Sequence, residues 1–350
     1  MPPAKHTRRI RWHLHEWPSS DQAAWSAAIA DGDVLDGRGA AAHWRPATRE
    51  TNIRHYGRWL AFLADSGRPM DGFPTARVTQ QAVRAYVEHL RPQVAPQTTL
   101  SMVVGLKVMM KAMAPNVDWN WLADLCNAMR RHARPSINKD SKTRPSEEIY
   151  AAAVAEMQRL LTVRSTKMAW LCGFRDALMV AFLACRPLRL GNFVGLRLGL
   201  HLLRHQGRWV ISIPGEETKN HQPLEFDLTP SLVPHLEFYI AEVRPLISKS
   251  QTTSNLWVAW QRSALSYISA YFRITQTTRK LLEVEINPHM FRDCAATSMS
   301  LVSPGVARAA APLLGHRSFE TTQKHYVRAR QLDASRSVNA VLASLKTSTK

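Results

Sequence analysis

Apolar residues recur at helical spacing along most of the chain, and in one stretch the period drops to two. Four helical patterns follow one another between residues 45 and 133. Ile53, Tyr56, Trp59, Leu60 and Leu63 share a face of the first, which Gly67 and Pro69 end. Thr79 is a natural N-cap for the second, with Val83, Tyr86, Val87 and Leu90 at i, i+3, i+4 and i+7. Pro96 opens the third, which is expected to bury Leu100, Val103, Val104, Leu106, Met109, Met110 and Met113. Its methionines suit core filling better than an adaptable surface. Residues 119–131 make the fourth. Ahead of this bundle, residues 1–44 form an extension with a short helix expected over 21–29, where Trp25, Ala28 and Ile29 share a face. Gly32, Gly37 and Gly39 then break the chain.

Residues 134–147 are polar, contain two prolines and have no apolar period, so they read as a linker. Beyond them Val154, Met157, Leu160 and Leu161 mark a helix, and residues 176–185 are apolar nearly all round, which predicts a central, buried helix. The period then changes. Residues 209–213 and 223–228 are strand-like, with 216–222 as the turn between them, so Lys219 sits at a hairpin. Helices resume at Pro230. The last, over 334–345, carries only a narrow stripe of Val338, Val341, Leu342 and Leu345. The fold class is therefore mainly α with a small β-sheet, in two domains.

Charge narrows the choice of partner. Lys and Arg number 46 against 27 Asp and Glu, a net charge of +19 over 350 residues. That excess marks a polyanion partner, with a membrane surface as the second choice. No run of about eighteen apolar residues predicts a membrane span, and the basic start lacks the apolar stretch of a secretory signal. Lys5, Arg8, Arg9 and Arg11, interleaved with His6, Trp12, His13, His15 and Trp17, suit a nucleic-acid-touching arm and a solvated tail equally well. Cys126, Cys172, Cys185 and Cys294 stand singly, as reduced core thiols of a cytosolic protein do.

The chemistry lies in the last 180 residues. His289 and Arg292 stand three apart, Leu313-Leu314-Gly315-His316 follows, and Tyr326 comes ten residues later. Arg186 and Arg189 flank a Pro-Leu pair, and Lys219 follows Glu217-Thr218. Arginine forks neutralise a phosphodiester, His and Lys share or move protons, and Tyr can attack phosphorus to give a phosphotyrosine. Rival patterns are weaker. His201 and His205 have the i, i+4 spacing of helical metal ligands but lack a third ligand and precede a strand, so they read as exposed histidines. No serine stands in a nucleophile-elbow sequence, and no Gly-rich nucleotide loop is present.

These residues resemble the tyrosine recombinases, or phage-type integrases. His289-Met-Phe-Arg292, followed by Ala295-Ala-Thr297, is similar to the family's second arginine box, and Leu313-Leu-Gly-His316 with Tyr326 to its last. The apolar helix ending in Arg186-Pro-Leu-Arg189 matches the first box, with Pro187 in place of the usual Gly. In that register Arg189, not Arg186, is the catalytic arginine. One departure stands out: the family commonly carries an acid three residues later, and this chain has Asn192.

The resemblance covers about residues 45–330 and implies an N-terminal helical, SAM-like core-binding domain over 45–133. It implies a catalytic α+β domain over 148–330 and a tail helix over 331–350, whose stripe packs either on its own domain or, as the resemblance implies, on a neighbour. The implied catalytic set is Arg189, Lys219, His289, Arg292, His316 and the nucleophile Tyr326, working without cofactor, metal or ATP. The implied partner is double-stranded DNA, gripped by phosphate contacts at Arg54, His55 and Arg58 and at Lys107 and Lys111, with four subunits on two synapsed sites and a monomer or dimer when free. The expected location is the cytoplasm, at the nucleoid. A type IB topoisomerase uses the same residue set, and a DNA-binding relative without strong catalysis is the other alternative.

Overall fold

Tyr56, Trp59, Leu60 and Leu63 lie buried along one side of a helix over Pro46–Asp65, and the first part of the fold assembles on that face. The computed structural model describes residues 10–32, 37–133, 140–248, 253–260 and 264–302. The chain divides into two compact units, Met1–Asn138 and Lys139–Lys350.

In the first unit α1 (Ser19–Ile29), α2 (Pro46–Asp65), α3 (Pro74–Arg77), α4 (Gln80–Leu90), α5 (Pro96–Met113) and α6 (Asn120–His132) share one core. Thr79 does cap α4, its side chain accepting from the Ala82 N–H at 3.2 Å. On α5 the expected face is buried except for Val104 and Met113, which are half-buried at its edge. Gly105 is buried on the same helix because His55 of α2 packs where a side chain would stand.

Residues from Trp12 onward are neither arm nor tail. The Trp12 N–H donates to the Gly57 carbonyl at 2.9 Å, and α2 needs a glycine there because a Cβ would strike the Trp12 carbonyl. Trp17 is buried edge-on against Tyr56, with ring centroids 4.8 Å apart. Asp21 of α1 is fully buried and accepts from the Tyr56 hydroxyl at 2.6 Å and from the Arg77 guanidinium. A carboxylate costs little inside when a cation and a hydroxyl meet it, so this trio ties α1, α2 and α3 together. The basic residues Lys5, Arg8 and Arg9 lie outside the described residues.

The second unit opens with α7 (Ser146–Thr162), packed on α8 (Met168–Cys185). The buried face of α7 is Ile149, Ala153, Met157 and Leu160; Leu161, expected inside, is exposed. α8 is long and apolar enough to cross a membrane, but 78% of that window is buried within the fold, and it forms the predicted core helix. It also carries a buried ion pair. Arg175 donates to Asp176 Oδ1 from Nε at 2.8 Å and from Nη2 at 2.6 Å, and from Nη1 to the Val258 carbonyl at 2.8 Å. Burial raises the Asp176 carboxyl, and Arg175 opposes that shift. Arg175→Leu would leave the buried carboxylate facing only the half-exposed Arg273, 3.9 Å from Oδ2. The expected loss is about 3–5 kcal/mol, read as a lower urea midpoint for the full chain; an unchanged midpoint would show that the pair contributes nothing.

After α8 come a short α9 (Leu190–Val194) and an antiparallel sheet of β1 (Leu202–His205), β2 (Arg208–Ile213) and β3 (Leu224–Asp227), in that order. β1 pairs with β2 from Leu202↔Ile211 to His205↔Arg208, and β2 with β3 from Val210↔Asp227 to Ile213↔Leu224. Gln206 and Gly207 both have left-handed φ (48° and 80°), as a two-residue hairpin turn requires. α10 (Val233–Phe238) runs through a π-helical turn over Tyr239–Val243 into α11 (Arg244–Ser248), before α12 (Tyr267–Leu282) and α13 (Met290–Val302). All four cysteines are free.

Candidate active site

The turn after α8 sets the first arginine. The Leu188 N–H reaches back to the Arg186 carbonyl at 2.8 Å, and the Arg189 carbonyl accepts from the Phe193 N–H at 2.9 Å, which starts α9 with Arg189 as its N-cap. The two arginines of this turn then diverge. Arg186 donates from Nε and Nη2 to the Asp227 carbonyl, at 3.3 and 3.0 Å, and lies over the Phe226 ring. It is committed to β3. Arg189 is half-buried, and burial lowers its pKa.

Arg292 meets this turn from α13. Its Nη1 donates to the Pro187 carbonyl at 3.0 Å, two residues before Arg189. It is only 6% exposed, and its pKa is pushed down to about 10, by burial first and by the Arg189 charge second, with Asp293 opposing. At neutral pH it keeps its proton. Two guanidinium groups close enough to repel, one of them buried, form a site that an anion relieves.

His289 stands just before α13, three residues ahead of Arg292, and its carbonyl accepts from the Arg292 N–H at 3.2 Å. Asn287 orders this helix start, its side chain accepting from the His289 and Met290 N–H groups at 3.1 and 3.2 Å. His289 is exposed. Lys219 is exposed too, in the connection between β2 and β3. The neighbouring Thr218 is fully buried, and its hydroxyl is shared between the Gly215 and Gln222 carbonyls at 3.0 and 2.8 Å, which closes the loop on itself. Asn192 of α9 donates to the Glu217 carbonyl at 2.9 Å, joining the arginine turn to the lysine loop. His316, Tyr326 and the tail helix lie outside the described residues.

Two expectations change. His201 is buried rather than exposed: it stands in the turn just before β1, and its ring faces the Gly195 carbonyl and Glu217. The i, i+4 spacing could not reveal this, because the partners lie 6 and 16 residues away. His55, grouped with Arg54 and Arg58 as a phosphate contact, is instead half-buried against Gly105, and its pKa is lowered by burial and then by Arg54. Arg54 remains exposed beside Glu50, Arg58 donates to Gln93 at 3.2 Å, and Lys107 and Lys111 follow on α5, the first half-buried and the second exposed.

The phage integrase family model matches residues 153–332, more than half of the chain. The chain belongs to the phage integrase family. As such it is a tyrosine-type site-specific DNA recombinase, an enzyme that breaks and rejoins DNA. Solved structures agree in fold. XerH recombinase bound to its difH substrate aligns with a TM-score of 0.54 at 14% identity, covering 83% of this chain and 78% of that one. A lambda integrase dimer (residues 75–356) on a COC′ core site aligns at 0.51 and 14% identity, covering 82% and 90%. Comparison with curated proteins finds no match in sequence.

Proposed function

We propose that this integrase cleaves DNA by attack of Tyr326 and holds the broken strand as a 3′-phosphotyrosine. The observation that supports the reading is the pairing of half-buried Arg189 with buried Arg292, two positive charges close enough to repel, as stabilising a phosphorane requires. In the forward step the Tyr326 Oη–P bond forms as the P–O5′ bond breaks. His289 takes the tyrosine proton, Lys219 gives one to the leaving 5′ oxygen, and His316 donates a hydrogen bond to the phosphoryl oxygens. The 5′ hydroxyl of a second strand reverses these transfers, so bond energy is kept and no metal or ATP enters. The first unit supplies backbone grip through Arg54, Arg58, Lys107 and Lys111, and the net charge of +19 supports binding by counterion release. We place the enzyme in the cytoplasm, with its DNA.

Covalent capture tests the reading. The full chain is mixed with randomised duplexes carrying a nick, so that the short 5′ fragment diffuses away and leaves the adduct stranded. A detergent-resistant adduct containing Tyr326 is expected, and its DNA reports the cleavage site. No adduct, with DNA binding intact, would favour a binding protein. Strand exchange between two captured duplexes separates recombination from the relaxation a topoisomerase performs.

The tail stripe of Val338, Val341, Leu342 and Leu345 supports assembly into a tetramer on two synapsed sites, each tail covered by a neighbour. Truncation after Arg330 should spare binding to one site and abolish the slower-migrating, higher-order complexes in a gel shift. If those complexes persist, the stripe packs on its own subunit.

A further inference from the structure

Two side chains from the arginine side of the site converge on one residue of the lysine loop. Asn192 on α9 donates from Nδ2 to the Glu217 carbonyl at 2.9 Å. His201, 2% exposed, sets Nε2 against the Glu217 carboxylate, 3.3 Å from Oε1 and 3.2 Å from Oε2. Its Nδ1 donates to the Gly195 carbonyl at the end of α9 at 3.1 Å. The His201 backbone is fixed as well, its N–H donating to the Arg197 carbonyl at 2.9 Å and its carbonyl accepting from Ser212 of β2 at 2.8 Å. Glu217 is thus held at both its main chain and its side chain, two residues before Lys219.

We propose that Asn192 and His201 form a latch on Glu217 that fixes Lys219 relative to the Arg189 turn. The three are positioning residues, and the proposal rests on the reading of Lys219 as the proton donor. A lysine side chain on an exposed loop has many rotamers, and a general acid works only within about 3 Å of its target. Anchoring the backbone two residues away removes much of that freedom before substrate arrives. The latch also accounts for the amide at position 192. Its partner is a carbonyl oxygen, which only accepts, so the side chain must donate. An aspartate would set a carboxylate against that oxygen and push the loop away.

The test compares the full chain with Asn192→Asp, Glu217→Ala and, as reference, Lys219→Ala. Each cleaves the captured duplex with oxygen or sulfur at the bridging 5′ position. Sulfur leaves as a thiolate and needs no proton, so Lys219→Ala should be slow on oxygen and close to the parent on sulfur. Asn192→Asp and Glu217→Ala should each be slowed about ten-fold on oxygen, the scale of one lost hydrogen bond to a charged or well-placed group, and recover on sulfur. General damage to the fold would slow both substrates alike. In the DNA-free protein, hydrogen exchange over residues 214–223 should quicken in both latch variants while the strand amides keep their protection. Equal slowing on the two substrates, unchanged loop exchange, or a faster Asn192→Asp enzyme overturns the latch. If sulfur fails to rescue Lys219→Ala, the proton-donor assignment falls instead, and loop exchange alone decides the latch.

Discussion

Tyr326→Phe should abolish the covalent adduct and leave DNA affinity within about two-fold, since it removes one hydroxyl and no charge. A phenol is a weak nucleophile because its free pKa lies near 10, so the proposed attack requires cations and a base to activate it. The other six of the chain's seven tyrosines are poor substitutes. Tyr56, Tyr86 and Tyr239 are fully buried, and burial raises each further above its ordinary pKa. Tyr150 is also raised by burial and is hydrogen-bonded to Ser231 at 2.6 Å. Only Tyr267 and Tyr271, exposed on α12, could reach DNA. An adduct formed by the Phe variant would move the assignment to one of those two, and peptide mapping of the adduct distinguishes them.

Arg292→Ala and Arg189→Ala should each slow single-turnover cleavage about a hundred- to a thousand-fold, as removal of a fixed electrostatic partner of the transition state does. On the proposed reading the losses belong to the chemical step, where negative charge builds up on the phosphorane. Arg186→Ala serves as the control for register. Its guanidinium spans the Asp227 carbonyl and the Phe226 ring, so its loss should loosen β3 and lower the melting temperature with little change in rate. Equal rate losses at 186 and 189 would mean that the box around Pro187 is shifted by one turn.

Much of the local structure was legible in the residues themselves. The Thr79 cap, the i, i+3, i+4 faces of α2, α4 and α5 and the apolar sweep of α8 are short-range signals, and each element forms around those residues, although α8 begins at Met168, ahead of the predicted 176–185. The change of period after α9 located the β2–β3 hairpin and with it Lys219. β1 was missed because its four residues include Arg204 and His205, too few and too polar to display alternation. Neither the arm nor the tail reading of the basic opening foresaw that Trp12 and Trp17 pack against α2, because their partners Gly57 and Tyr56 lie some forty residues on.

What the sequence determined is the order of the helices, the small sheet and the residue types able to hold and attack a phosphodiester, because these depend on spacing within a few residues. Which polar groups go inside was decided by tertiary structure. Asp21 meets Tyr56 35 residues away, Arg175 meets the Val258 carbonyl 83 away, and Arg292 meets the Pro187 carbonyl 105 away. Burying a charge is favourable only when its partner is already in place. Local periodicity says nothing about a partner that the chain brings back from so far, so Arg292 beside Arg189, and His201 on Glu217, exist only once the fold has closed.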